Sequence, residues 1–250
     1  MLLHGQPGSA RDWESVVGAI GGRVPTIAVD RPGWDGHSAP GGVLRSSDAA
    51  LAALDERGID RAVIVGLSFG GAVAAWLAAQ HPERVAALVL ISPAANQDSL
   101  EFVDRLLAAP VIGYVLSAAI LSAAGLALSL GAVRSRLEST FSVPDDYLRT
   151  SARRLRGRSA RRAFWVEQRS LIRDLPVLER QLGRITAPTT VVIGTSDTIV
   201  PITAVRRLAG QIPGAELVEI EAGHHILPAE HPGALAELIV SAAGGARESS

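Results

Sequence analysis

Gly66-Leu67-Ser68-Phe69-Gly70 sets a serine between two glycines, straight after Val63-Ile64-Val65 and straight before the alanine-rich run Gly71 to Gln80. The branched apolar triplet reads as the end of a buried parallel strand and the alanine run as a helix, which places Ser68 at the apex of a strand–turn–helix. A turn that tight strains the serine backbone, and side chains at Gly66 or Gly70 would collide with the neighbouring strand and helix. The turn lifts Oγ clear of the sheet, and the helix N-terminus behind it favours developing negative charge. Such a serine is a nucleophile in waiting. It needs a base, an acid to orient the base, and donors for an oxyanion. Asp197 lies four residues beyond Ile193 on the loop leaving the apolar run Thr190–Ile193, at the strand end where ligands gather in open α/β sheets. The base is expected after the last strand, where the chain offers His224 and His225.

The elements that must position these residues alternate. Leu2-Leu3 is a strand end that runs into the turn-rich His4–Ser9, Asp12–Ile20 is helical, and Thr26–Val29 is a short apolar strand ending at Asp30-Arg31-Pro32-Gly33. Ser47–Arg57 is a helix stopped by Gly58. Strands at Val85–Ile91, Thr190–Ile193 and Glu216–Ile220 follow, with a helix at Ile202–Gln211 between the last two. Short apolar strands alternating with helices predict an α/β fold with a mostly parallel central sheet covered by helices on both faces. The alternation predicts a core at residues 1–95 and 184–243, a helical insertion at 96–183 and a frayed tail at 244–250.

The order Ser68, Asp197, histidine is that of the α/β-hydrolase superfamily, and the chain resembles its lidded branch of esterases, epoxide hydrolases, haloalkane dehalogenases and carbon–carbon hydrolases. His4-Gly5-Gln6-Pro7-Gly8 resembles the oxyanion loop of that family, Asp30-Arg31-Pro32-Gly33 its Asp-x-Pro-Gly turn, and Gly194–Pro201 its acid loop. The resemblance implies Ser68 as nucleophile, Asp197 as acid, and the backbone N–H groups of Gln6 and Phe69 as oxyanion donors. It leaves two candidates for the base. The family's Gly-His dipeptide selects His224, after Gly223, whereas the usual loop length and the later Pro232 select His225; spacing is preferred, because loop length decides where the ring reaches. Two departures stand out. The family has two further strands before the His-Gly loop, so the sheet is expected to lack the first two strands or the stated start to lie inside a longer protein. Asp35 is an apparent extra residue, expected to be absorbed by its loop.

The resemblance implies hydrolysis of carboxylic esters of small to medium apolar substrates through an acyl-enzyme. The alternatives are hydrolysis of a carbon–carbon bond in a diketone by the same triad, and a catalytically silent fold that serves as a binding module. No cofactor and no metal are expected. A net charge of −1 gives no reason to expect nucleic acid as a partner, and the absence of cysteine removes disulfides and thiolate chemistry. Every basic side chain other than histidine is arginine. Met1–Gly5 lacks the basic and apolar regions of a signal peptide, so a cytoplasmic location is expected.

Leu106–Val133 carries no charge and is long enough for a transmembrane helix, but alanine, glycine, serine and Pro110 weaken it. One span here would also put Ser68 and the Asp197/His225 pair on opposite sides of a bilayer. The run is therefore expected to close over an apolar pocket as a lid, with membrane-surface contact as the alternative. The arginine-rich Arg149–Arg173 is expected to be a solvated helix surface, since Asp145, Asp146, Glu167, Asp174 and Glu179 are interleaved with it or flank it.

Overall fold

Six short strands pair in parallel in the computed structural model, which describes residues 1–141 and 143–248. In chain order the elements begin with β1 (Leu2–Leu3), a 3-10 turn (Ala10–Trp13), α1 (Glu14–Ile20), β2 (Ala28–Val29) and α2 (Val43–Asp55). The elbow follows as β3 (Ala62–Leu67) and α3 (Phe69–Gln80), then β4 (Val85–Ile91). The insertion comprises α4 (Phe102–Ala108), α5 (Ile112–Ala127), α6 (Gly131–Phe141), α7 (Asp145–Leu155) and α8 (Arg158–Glu179). The chain returns through β5 (Thr189–Gly194), α9 (Ile202–Gln211), β6 (Glu216–Ile220), α10 (Leu227–Glu230) and α11 (Pro232–Glu248). The strand order is β2-β1-β3-β4-β5-β6, every pair parallel, so the elbow strand is central.

Alternation along the strands splits the core into two layers. Ile64, Leu88, Leu90, Val191 and Ile193 pack on one face with α2, α3, α8 and α9. Val65, Leu67, Val89, Ile91 and Val192 pack on the other with α1 and α11. Both faces are covered, as a parallel sheet requires.

Two element boundaries differ from expectation, and the extra residue Asp35 is absorbed as expected. Helix α2 begins at Val43, not Ser47, because Ser170 Oγ of α8 accepts the Val43 amide at 2.7 Å, a cap supplied from far along the chain. Helix α11 runs on to Glu248, so most of the stretch expected to fray continues a helix; residues 249 and 250 lie outside the described residues. Asp35 Oδ1 accepts the amides of His37 (3.0 Å) and Ser38 (2.9 Å), which folds the extra residue into a turn.

The uncharged run is not one helix. Helices α4 and α5 are bent by 109° at their junction, and among the described residues no single helix is long and apolar enough to cross a membrane. The arginine-rich segment also differs from its expected role. Glu167 and Asp174 are buried, and α8 carries a packed stripe that includes Ala160, Ala163, Leu171, Leu175 and Leu178. Glu167 points into the core, whereas Asp174, though buried, still pairs with the exposed Arg173 beside it.

Candidate active site

The elbow shows why its two glycines are required. A Cβ at Gly66 would overlap the Gly70 carbonyl, and one at Gly70 would overlap the Leu3 carbonyl on the adjoining strand. Between them Ser68 is held at φ 53°, ψ −116°, a strained conformation for a residue with a side chain. The backbone around it is tied down: Ser68 N–H donates to Ile91 at 2.9 Å, and Ser68 C=O accepts from Gly71 at 2.8 Å and Ala94 at 3.1 Å.

The loops that carry Asp197 and the two histidines cross closely. Ser196 N–H donates to the Gly223 carbonyl (2.9 Å), Ala222 N–H donates to Thr195 Oγ1 (2.9 Å), and a Cβ at Gly194 would overlap the Gly223 carbonyl. This crossing brings His225 Nδ1 to 2.9 Å from Asp197 Oδ2, with the Asp197 side chain fully buried. The other Asp197 oxygen accepts the amides of Ile199 (2.8 Å) and Val200 (3.0 Å). Burial pushes the Asp197 carboxyl up, but the His225 hydrogen bond and charge and the two amides outweigh it and hold the group below its ordinary value. His224 turns elsewhere. Its Nδ1 lies 2.8 Å from Glu230 Oε1, its backbone N–H donates to Glu230 Oε2 at 2.8 Å, and its ring meets Phe141 edge-on.

Gln6, Ser68 and His225 all line one cavity of about 420 Å3. A Cβ on Gly5 would lie 3.3 Å from Ser68 Cβ, so the His4–Gly8 loop borders the serine directly. The N–H of Phe69, first residue of α3, has no acceptor within its own helix. The cavity's far wall is Leu137, Phe141, Val143, Pro144, Tyr147 and Leu148, from α6, α7 and their connection. None of the described lining residues belongs to Leu106–Val133, so the run expected to cover the pocket does not touch it.

Two polar clusters, one buried and one partly exposed, have no counterpart in the sequence reading. In the first, Arg31 donates through Nε to His4 C=O (3.0 Å) and through Nη2 to Gly5 C=O (2.8 Å), pairs with Glu167, and lies over the Phe69 ring at 4.5 Å. Trp34 Nε1 donates to the same Glu167 at 2.8 Å. His4 accepts the Arg31 amide at Nε2 (3.0 Å) and has Nδ1 2.8 Å from Gly5 C=O, a geometry that suits the neutral Nδ1–H tautomer. Burial, then the Arg31 charge, pushes the His4 pKa well below its ordinary value. Burial pushes the Glu167 carboxyl up to about 7, against the pull of Arg31. In the second cluster, Tyr147 of α7 donates to the buried Asp12, Arg11 pairs with Asp146 at 2.8 Å, and Arg154 donates to Gly8 C=O at 3.2 Å. The insertion is thus fastened to the His4–Glu14 segment at two places. The Glu167 signal was in the sequence: an acid on the same helical stripe as Ala160, Ala163, Leu171 and Leu178 faces inward and needs a buried cation. The Asp12–Tyr147 contact joins residues far apart in the chain and leaves no local signal.

Known proteins resemble this chain in sequence and in fold. The lipase LipV of Mycobacterium tuberculosis is 38% identical over 118 residues, 44% of this chain and 44% of that protein. The dihydrolipoyllysine-residue acetyltransferase component of the acetoin cleaving system of Cupriavidus necator is 35% identical over 104 residues, 40% of this chain and 28% of that protein. These matches span less than half the length of either curated relative. A thermophilic esterase from Thermogutta terrifontis superposes with a TM-score of 0.75 at 20% identity, covering 98% of this chain and 89% of that one. The 2-hydroxy-6-oxo-6-phenylhexa-2,4-dienoate hydrolase of Rhodococcus sp. strain RHA1 gives 0.77 at 22%, covering 97% and 89%. At such identities the structural likeness speaks for the fold alone. A family model described as alpha/beta hydrolase fold matches residues 1–232, and with the parallel sheet and the glycine-flanked elbow it makes this chain a member of the α/β-hydrolase family.

Proposed function

We propose that the protein is a serine hydrolase that cleaves carboxylic esters of small to medium apolar substrates through an acyl-enzyme. The observation that carries this reading is that Ser68, strained at φ 53°, lines the same cavity as His225, whose Nδ1 meets the buried Asp197. An imidazole donating from Nδ1 to a carboxylate presents an unprotonated Nε2. That nitrogen takes the Ser68 proton as Oγ attacks the ester carbonyl, and the amides of Gln6 and Phe69 hold the oxyanion. His225 then gives the proton to the departing alkoxide. Water repeats the sequence on the acyl-enzyme, releasing the acid and restoring Ser68. The Asp197 carboxylate orients the ring and stabilises its cationic form throughout.

The wall from Leu137 to Leu148, mostly apolar, favours an apolar acyl or alcohol group. The test is labelling by a fluorophosphonate together with turnover on a panel of esters and a diketone. Wild type should be labelled and should hydrolyse the esters, while Ser68→Ala should stay folded, take no label and lose at least about a thousandfold in kcat. A folded wild type that takes no label would leave a binding module. Preferential turnover of the diketone would make carbon–carbon cleavage the activity.

A further inference from the structure

The uncharged run neither crosses a membrane as one helix nor lines the cavity, and much of it faces outward. Phe102 is 81% exposed, Val111 76% and Ile112 60%, with Val103, Leu106 and Val115 also exposed. They lie along α4, at the bent corner between α4 and α5, and on the first turn of α5.

Helix α8 borders that corner. Trp165 Nε1 donates to Ala109 C=O at 3.2 Å, and the Trp165 ring meets Tyr114 edge-on, with centroids 5.8 Å apart. Arg158, Arg162 and Arg169 are exposed and fall at i−7, i−3 and i+4 from Trp165, on one face of the helix. Arg169 lies over the Trp165 ring at 4.9 Å, and none of the three makes an ion pair among the described residues. The exposed Arg105 on α4 makes none either. The nearby carboxylates are too few to balance them. Glu167 is buried with Arg31, Asp174 pairs with the exposed Arg173, and the half-buried Asp104 accepts from Gln168 and from the Glu101 amide. On α4 and at its start, Asp104 and the exposed Glu101 are outnumbered by Arg105, Arg158, Arg162 and Arg169.

We propose that this corner is a docking surface for an anionic lipid bilayer: the apolar residues enter the headgroup–acyl boundary, Trp165 and Tyr114 lie at the interface, and the arginine stripe meets lipid phosphates. Charge decides the occupant. A second copy of this chain meeting the same patch would set arginine stripe against arginine stripe with fewer carboxylates than arginines between them. An anionic surface complements both the apolar corner and its basic border.

The experiment uses the full chain with vesicles of phosphatidylcholine alone and of phosphatidylcholine mixed with phosphatidylglycerol, read by co-sedimentation and by Trp165 emission. Wild type should partition onto the anionic vesicles, more weakly as salt is raised, with a blue shift absent from Trp165→Phe. Val111→Asp/Ile112→Asp should lower partitioning at least about tenfold. Arg158→Gln/Arg162→Gln/Arg169→Gln should lose about fivefold per arginine on anionic vesicles and little on neutral ones. These exposed positions lie outside the cavity, so turnover of a water-soluble short-chain ester should not change in either variant. Wild type remaining in the supernatant, or aspartates that leave partitioning intact, would overturn the proposal. So would a wild-type dimer in sedimentation velocity that the aspartate pair dissociates, since a second copy would then be the occupant.

Discussion

At the scale of single residues, neighbouring histidines are told apart by what each ring touches. His225 faces the buried Asp197, and His224 faces Glu230 and Phe141. Replacing the base leaves Ser68 without a proton acceptor, so His225→Ala should approach the loss of Ser68→Ala, and the double variant should lose little more. His224→Ala should cost about tenfold or less, through the Glu230 contact that shapes the loop. Kinetics of both folded variants on one ester decide it, and the reverse ranking would move the base to His224. Asp197 adds a dependence on pH. Its carboxyl is depressed on folding, so its contribution is present above the unfolded value of about 3.8 and is lost as pH falls through the lower, folded value. Asp197→Asn should therefore melt below wild type at neutral pH, with the gap closing as pH falls below about 3.8. A gap that is constant down to strong acid would show that the His225 contact does not stabilise the fold. On activity the same change should cost about ten-thousandfold in kcat, because an amide favours the wrong imidazole tautomer.

Helix α8 shows what an element adds that residues alone do not reveal. Its Glu167 holds Arg31, and Arg31 holds the carbonyls of His4 and Gly5 on one side and covers Phe69 on the other. One buried pair thus steadies the residues next to both proposed oxyanion donors, Gln6 and Phe69. Glu167→Leu alone leaves a buried guanidinium without its partner and should cost about 3–5 kcal/mol of stability by chemical denaturation. Arg31→Met/Glu167→Leu removes both charges and should recover most of that stability. It should still lose kcat, with KM little changed, because the His4 carbonyl has lost its Arg31 donor and the Gly5 carbonyl one of its two. Recovery of kcat along with stability would reduce the pair to a structural role. The strand ends, the elbow and the loops that carry Asp197 and the two histidines were legible in the sequence because each is fixed by neighbours within a few residues: Gly66 and Gly70 about Ser68, Ile193 before Asp197, Ile220 before the histidines. Arg31–Glu167, Ser170 at the start of α2 and Asp12–Tyr147 were not, since each joins segments more than a hundred residues apart. Glu167 marks the boundary between the two cases. Its position on the buried stripe was visible, but the abundance of arginines around it suggested solvent pairing instead.

For the molecule as a whole, the core supplies the proposed reacting groups and the insertion supplies the shape of the space they face. The cavity of about 420 Å3 is bounded on the insertion side by Leu137, Phe141, Val143, Pro144, Tyr147 and Leu148, with Leu148 itself buried. The contacts Arg11–Asp146, Asp12–Tyr147 and Arg154–Gly8 hold that wall against the core. An apolar chain entering this space leaves water one methylene at a time, each worth about 0.8 kcal/mol, or roughly fourfold in kcat/KM when the gain is kept in the transition state. Efficiency on a series of straight-chain esters should therefore climb over the first few methylenes and level off once the space is filled. Leu148→Trp narrows the wall and should move the plateau to shorter chains, while Leu148→Ala should move it to longer ones at a stability cost of about 2–5 kcal/mol. Short-chain turnover should stay near wild type in both, because neither change reaches Ser68, Asp197 or His225. A flat profile in the wild type, or a plateau that ignores Leu148, would mean that the acyl group lies outside this cavity and that α6 and α7 do not select the substrate.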